Sequence, residues 1–442
     1  MTQTTDHSAP TTGPPPAPPT ADERRRSLLP LALTVAAVLW IAISGALPTV
    51  LVVVALLVMI MLHEFGHFMT AKWADMKVTE YFLGFGPRLW SFRRGETEYG
   101  IKAIPAGGYV KIIGMNNLEQ VDPADEPRTY RQKPYWRRMS VAFAGSAMHF
   151  LIALVLLWSL NAFVGLVDYD APTLNVGSLT KLETGEAPAV QAGLKVGDRV
   201  VSLDGHRVKD FDELRDYVSN RPGEPIDFVV ERDGRTFERT ITPLDLSKVR
   251  VQGERRPVAD EPYGFIGVGT AFEIDKSNPL VAVGRAGSDL WNYSITSVKA
   301  LGSFFTPSNL NDYSRELTGR AAPPSASSTD NGENGNRFLS PVGFVRVASQ
   351  AADTGIRQVL LLLVLINVFV GIFNLVPLPP LDGGHVAIGT YEKIRSMISG
   401  RRYQADVSKL MPIAVAVVMV FIVIGVSSLW LDIFKPLSNP FQ

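Results

Sequence analysis

Four stretches of the chain carry no charged side chain: residues 27–62, 139–167, 358–381 and 410–431. A helix needs about 20 apolar residues to cross a bilayer. The last three stretches are of that order. The first is too long for one crossing at about 1.5 Å per residue. Ser44-Gly45 to Pro48 interrupts it with turn-forming residues. The pattern therefore predicts five transmembrane helices, at 28–44, 48–70, 139–166, 358–381 and 410–431. One long tilted helix is the rival reading of the first two.

Lys and Arg collect on the cytoplasmic side of membrane proteins. Arg24-Arg25-Arg26 precedes the first span, residues 71–138 hold 12 basic against 8 acidic side chains, and 386–410 hold five against two. All three segments are thus expected inside, and residues 168–356 outside. The Pro- and Thr-rich residues 1–27 read as a disordered cytoplasmic tail. No small-residue cleavage site sits where a signal peptide would have one, so the first span is read as a retained anchor. The expected location is the inner (cytoplasmic) membrane of a bacterium, multi-pass.

Within 71–138, Gly84-Phe85-Gly86-Pro87, Thr97 to Lys102 and Gly107 to Ile112 alternate like short strands broken by turns. The segment reads either as a plain loop or as a β-rich flap on the cytoplasmic side. Outside, residues 174–245 look like a small α/β module. Ile226, Phe228 and Val230 alternate as a strand, while Phe211, Leu214 and Val218 mark a helix face. The string Ala192-Gly193-Leu194-Lys195-Val196-Gly197-Asp198 resembles the PDZ domains attached to bacterial proteases. Such domains accept extended peptides by strand addition. Residues 246–356 read as a linker. Within it, Trp291, Ile295, Val298, Leu301 and Phe305 define an amphipathic helix over 288–305, packed on the protein or lying at the membrane interface. Residues 306–337, rich in Pro, Ser, Asn and Gly, are expected to form a flexible loop.

The formal net charge is zero, with 43 basic and 43 acidic residues, which gives no reason to expect nucleic acid. The chain has no cysteine and six histidines, so a metal would be held by His, Asp or Glu. His63-Glu64-Phe65-Gly66-His67 places two imidazoles four residues apart, on one helix face, where they can share an ion. Glu64 then stands where it can take a proton from a water. Ionisable groups in a membrane helix are costly and mark function. A catalytic zinc takes three protein ligands. The candidate third is Asp382, in Leu381-Asp382-Gly383-Gly384-His385 after three helix-breaking prolines. A simple capping turn is the plainer reading of that residue, and His385 is a weaker ligand candidate.

Together these motifs resemble the bacterial site-2 proteases, the M50 intramembrane zinc metalloproteases with a PDZ domain that regulate sigma-factor signalling. The resemblance runs from about residue 48 to 432. It includes the His63–His67 helix, Gly84 to Pro87, Gly107-Gly108-Tyr109, the PDZ-like module, Ser340-Pro341-Val342-Gly343 and Leu381 to Gly384. It implies a polytopic α-helical membrane protein with an inserted extracytoplasmic α/β PDZ-like domain and a small cytoplasmic-side β-rich flap. It implies one Zn2+ per chain on His63, His67 and Asp382, with Glu64 as the catalytic base. Asn374 is implied to hold substrate, and Gly107, Gly108 and Tyr109 are candidates for pairing with it as a strand. The implied substrates are single-span membrane proteins such as anti-sigma factors, first shortened by an upstream site-1 protease. Where the family shows Ala-Gly-Pro-x-x-Asn, this chain reads Ala144-Gly145-Ser146-Ala147-Met148-His149. His149 is therefore expected either to face substrate or to be a buried neutral partner. The competing readings are a catalytically inactive, membrane-anchored PDZ scaffold and a metal transporter.

Overall fold

The computed structural model describes residue 36 and residues 47–115, 119–182, 185–248, 261–318 and 338–435. In chain order the principal elements begin with helix α1 (Leu47–Trp73) and strands β1 (Val78–Arg94) and β2 (Thr97–Ile112). Helix α2 (Tyr135–Ser159) and strands β3 (Leu166–Leu179) and β4 (Arg199–Leu203) follow. Then come α3 (Phe211–Ser219), β5 (Ile226–Arg232), β6 (Arg235–Ile241) and β7 (Val268–Asp275). Six helices complete the chain: α4 (Pro279–Phe304), α5 (Pro307–Leu317), α6 (Pro341–Thr354), α7 (Ile356–Asn374), α8 (Asp382–Ser399) and α9 (Met411–Phe434).

Four helical segments among the described residues are long and apolar enough to cross a membrane: Val50–Trp73, Tyr135–Val164, Ile356–Asn374 and Ser408–Phe434. Along α9, apolar side chains such as Val415, Met419, Ile422, Val423 and Val426 stand exposed. A helix that is apolar all round needs lipid or protein about it, and these residues make the chain a membrane protein. Apart from residue 36, the span expected at 28–44 and the tail 1–27 lie outside the described residues.

The chain divides into two compact units. The first comprises residues up to 148 together with 382–411. Its sheet is formed by β1 and β2, each doubling back on itself. Residues 78–83 pair with 108–112 on one side and with 98–101 on the other, while 88–94 pair with 97–102. The reversal in β1 falls at Gly84 and Gly86, whose φ angles of +88° and +83° L side chains rarely adopt. Tyr81 Oη donates to the Met61 carbonyl at 2.7 Å, tying the sheet to α1. Met76, Val78, Ile112, Tyr130 and Val141 form the core beneath.

The second unit comprises residues 149–381 and 412 onward. Its sheet has the order β7-β3-β4-β5-β6. Ile226, Phe228 and Val230 are buried at alternate positions, as their pattern predicts, and pack with Leu203, Leu214, Val218 and Ile241. Asp210 caps α3 by accepting from the Glu213 amide at 2.8 Å. Ser340 Oγ caps α6 through the Gly343 amide, and the Ser340 amide donates to Asp432 Oδ2 at 2.7 Å.

Four parts of the chain differ from the sequence reading. The α/β module is wider than 174–245, because β7 pairs with β3 and Ile266 enters the core. That pairing joins segments about 100 residues apart, which local alternation does not reveal. The amphipathic helix begins at Pro279 rather than 288, capped by Asn278. Residues 307–317, expected within a flexible loop, form α5, because Tyr313 docks on Ser427 Oγ at 2.7 Å and packs against Phe304. The span read as 358–381 is helical only to Asn374, where the proline-rich segment begins.

Candidate metal centre

Helix α1 presents His63 and His67 on one face, their Nε2 atoms 3.3 Å apart. Asp382, the first residue of α8, brings Oδ2 to 3.6 Å from His63 Nε2 and 3.3 Å from His67 Nε2. These are the only grouped ligand atoms of this kind found among the described residues. Bonds of about 2.0–2.1 Å to a tetrahedral zinc place neighbouring ligand atoms about 3.3–3.4 Å apart. The triangle therefore has the dimensions of one face of a zinc tetrahedron, with the fourth position left for water or substrate.

Its electrostatics favour a cation. His67 is buried, and its Nδ1 donates to the Val141 carbonyl at 2.8 Å. That bond assigns the proton to Nδ1 and leaves Nε2 as a lone pair. Asp382 Oδ2 is buried and has no hydrogen-bond partner among the described residues. A lone pair and a carboxylate oxygen aimed at one point repel each other unless a cation stands between them. The donor set, imidazole and carboxylate with no thiolate, suits zinc.

Two close approaches build the walls. A β-carbon on Gly145 would stand 2.7 Å from His63 Nδ1 and nearer still to His67 Nε2. One on Gly66 would stand 2.6 Å from the Ala144 carbonyl oxygen. Helices α1 and α2 thus meet backbone to backbone at the imidazoles. Glu64 lies beside β2: a β-carbon on Gly108 would be 3.2 Å from Glu64 Cγ, and the Val110 amide is a hydrogen-bonding partner of its carboxylate.

The other residues singled out in the sequence sit as follows. Gly107 and Gly108 lie where β2 enters its second stretch, Gly108 pairing with Leu83, and Tyr109 follows them. Tyr109 Oη donates to Glu80 and accepts from Lys102 Nζ, while its ring stacks on Phe82 and Phe85. His385 lies in the first turn of α8, with its ring 6.3 Å from that of Tyr130. His149 and Asn374 belong to the second unit. His149 is 2% exposed and bonds through Nδ1 to Asn367 Oδ1 at 3.0 Å. Asn367 in turn donates to the Leu363 carbonyl at 2.7 Å. Asn374 is the last residue of α7. Sequence reasoning missed the Val141 carbonyl, Gly145 as a wall, and Asn367. Only Asn367, a polar residue inside an apolar run, left a signal there.

The profile of Peptidase family M50 matches residues 51–318 and 330–421. Zinc metalloprotease Rip1 of Mycolicibacterium smegmatis is 34% identical over 418 residues, covering 88% of this chain and 98% of that protein. Zinc metalloprotease Rip1 of Mycobacterium tuberculosis is 32% identical over 416 residues, covering 89% and 98%. Among solved structures, the PDZ domain of an SdrC-like protein from Listeria monocytogenes matches 24% of this chain and 92% of its own at 19% identity, with a TM-score of 0.17. With the profile matched over most of its length, the chain belongs to peptidase family M50.

Proposed function

We propose that this chain is an intramembrane zinc endopeptidase of the site-2 type, cutting single-span membrane proteins within or beside their transmembrane segments. The observation that carries this reading is the triangle of His63, His67 and Asp382, with Glu64 beside it on the same apolar helix. Zinc, when bound there, supplies Lewis acidity toward a water and a scissile carbonyl.

The chain's own groups do the rest. The Val141 carbonyl fixes the His67 tautomer so that Nε2 faces the ion. Glu64 takes the proton of the attacking water and returns it to the departing amine. The Val110 amide and the bare backbone of Gly108 set the carboxylate's orientation. A substrate helix hides its carbonyls in internal hydrogen bonds, so it must open before it is cut. Residues 107–109 lead into the strand 108–112, which pairs with 78–83 on one side. An opened segment adds on the other side, with its backbone beside Glu64. His149 and Asn374 are proposed as further substrate-facing residues.

The orientation follows from the basic residues. Residues 71–138 and 386–410 face the cytoplasm, and exposed Trp73 and Trp136 mark that interface. The α/β module stands outside the inner membrane as a PDZ-like gate. It refuses partners with bulky external domains and admits those already shortened by a site-1 protease. Anti-sigma factors are the proposed substrates. The test is co-expression with each single-span anti-sigma factor of the host, comparing the parent with Glu64→Gln. Cleavage by the parent alone supports the reading; equal cleavage by Glu64→Gln ends it.

A further inference from the structure

Helix α8 carries Asp382 at its start and a buried ion pair one-half of the way along. Arg138 Nη1 donates to Glu392 Oε2 at 2.6 Å, with side-chain exposures of only 15% and 5%. The other oxygen, Oε1, accepts from the Ala405 amide at 2.8 Å. Burying two charges costs solvation free energy before their attraction is counted. Arg138 Nε is buried without a partner among the described residues, which adds to that cost. An apolar contact would hold two helices together with no such penalty. What an ion pair adds is a defined position.

That position bears on the metal centre. Arg138 lies one helical turn before Val141, whose carbonyl anchors His67. Glu392 lies ten residues after Asp382 on the same helix, about 15 Å along its axis. Around the pair, the Tyr135 hydroxyl meets Thr390 Oγ1 at 3.3 Å, and Gly389 lets α8 close onto Met139. The first turns of α2 therefore reach both sides of the cluster: the His67 imidazole through Val141, and the carboxylate through Glu392 and α8.

We infer that Arg138 and Glu392 are positioning residues for the metal centre: their buried ion pair sets the axial position of α8, and with it the distance of Asp382 from His63 and His67. This rests on the reading of those three residues as zinc ligands. Ligand distances hold within about 0.2 Å at such sites, so a small slide of α8 is enough to weaken them.

The test uses the full chain in detergent micelles and the metal alone. Zinc affinity is measured by chelator competition, and the cobalt-loaded protein is read by its visible absorption. Arg138→Met removes the pair. Arg138→Lys restores it, because only one nitrogen of Arg138 bonds to Glu392. Glu392→Gln keeps the acceptor for Ala405 but turns an NH2 toward Arg138, so it removes both the charge and the hydrogen bond to Arg138. Arg138→Met is expected to bind zinc 10- to 100-fold more weakly, the scale of an outer-shell loss, with weakened cobalt bands and unchanged far-ultraviolet circular dichroism of the metal-free protein. Arg138→Lys is expected within about threefold of the parent, on the same scale, and Glu392→Gln as weak as Arg138→Met. Arg138→Met or Glu392→Gln matching the parent in affinity and spectrum overturns the inference, as does Arg138→Lys binding no better than Arg138→Met. A parent that binds no zinc at all overturns the metal-centre reading instead.

Discussion

The backbone of Gly145 lies directly against the imidazole of His67, with no room for a β-carbon between them. His67 is also held from behind by the Val141 carbonyl, one turn earlier on the same helix. Helix α2 thus grips His67 at two points. Gly145→Ala must displace either the imidazole or the helix. Zinc affinity is expected to fall about 10- to 100-fold, as when a supporting contact of a ligand is lost. Chelator competition measures it. Parent-like affinity in Gly145→Ala would mean that the helices separate without disturbing the ligands.

Glu64 and Asp382 stand beside the same point but should fail in different ways. Glu64→Gln keeps its shape and loses its basicity. It should retain stoichiometric zinc while turnover falls at least 100-fold, the lower end of what a general base contributes. Asp382→Ala removes a proposed ligand and should lose the metal as well as the activity. Metal analysis of the two purified proteins, alongside cleavage of a membrane substrate, separates these roles. Zinc retained at full affinity in Asp382→Ala would remove that carboxylate from the coordination shell.

The sequence made the cluster of His63, His67 and Asp382 legible because its parts are local. Two histidines four apart, and an aspartate after three prolines, are patterns that helix geometry alone interprets. The supports were not legible. The Val141 carbonyl is a backbone group, and every residue has one. Gly145 acts by lacking a side chain, so only the approach of His67 reveals its use. Strand β7 escaped for a different reason: its partner β3 lies about 100 residues earlier, and the intervening module hides the pairing. Helix α5 sits in a stretch whose composition reads as a loop, and its contacts with α9 through Tyr313 hold it in place.

Asp198, which the PDZ-like string singled out, is fully buried in the second unit. Arg232 grips it with Nε at 2.5 Å and Nη2 at 2.7 Å, and the Lys195 amide donates to it at 2.8 Å. Burial alone would push this carboxyl up. The Arg232 guanidinium and the Lys195 amide outweigh that and hold it below the usual carboxylate range. A depressed folded value means that the bond stabilises the module above the unfolded value, near 3.9. That stabilisation is lost as pH falls through the lower folded value. Asp198→Ala should leave Arg232 without its partner and destabilise the module. Hydrogen exchange of residues 199–241 in the full chain reads both effects. Equal protection in Asp198→Ala and parent at neutral pH would deny the pair any role in the fold.

Gly108 offers a test of the proposed strand addition that leaves the ligands alone. Its missing β-carbon is the space that Glu64 Cγ fills. Gly108→Val should crowd the carboxylate and the free side of strand 108–112 together. Cleavage should fall at least 10-fold while zinc affinity stays within threefold, since no ligand is touched. Full turnover in Gly108→Val would show that substrate does not approach along this strand.

The gate proposal is testable because of how the α/β module is attached. Strands β3 and β7 are its first and last, and they pair at their outer ends: Leu166 with Asp275, Val167 with Ile274 and Asp168 with Glu273. Paired antiparallel residues lie about 4.5–5.5 Å apart. The module therefore leaves the chain and returns to it at nearly the same place, between the turn that ends at Val164 and the start of α4 at Pro279. Removing residues 169–272 and closing the gap with a few glycines keeps those ends where they are. Removing only 174–245 would strand half of the sheet and confuse unfolding with loss of the gate. The excised protein should keep zinc and cut a shortened single-span substrate at the parent's rate. It should also cut the same substrate with its external domain intact, which the parent should refuse by at least 10-fold, a discrimination of about 1.4 kcal/mol. If the excised protein still refuses the intact substrate, the selection lies elsewhere in the chain and the module is not the gate.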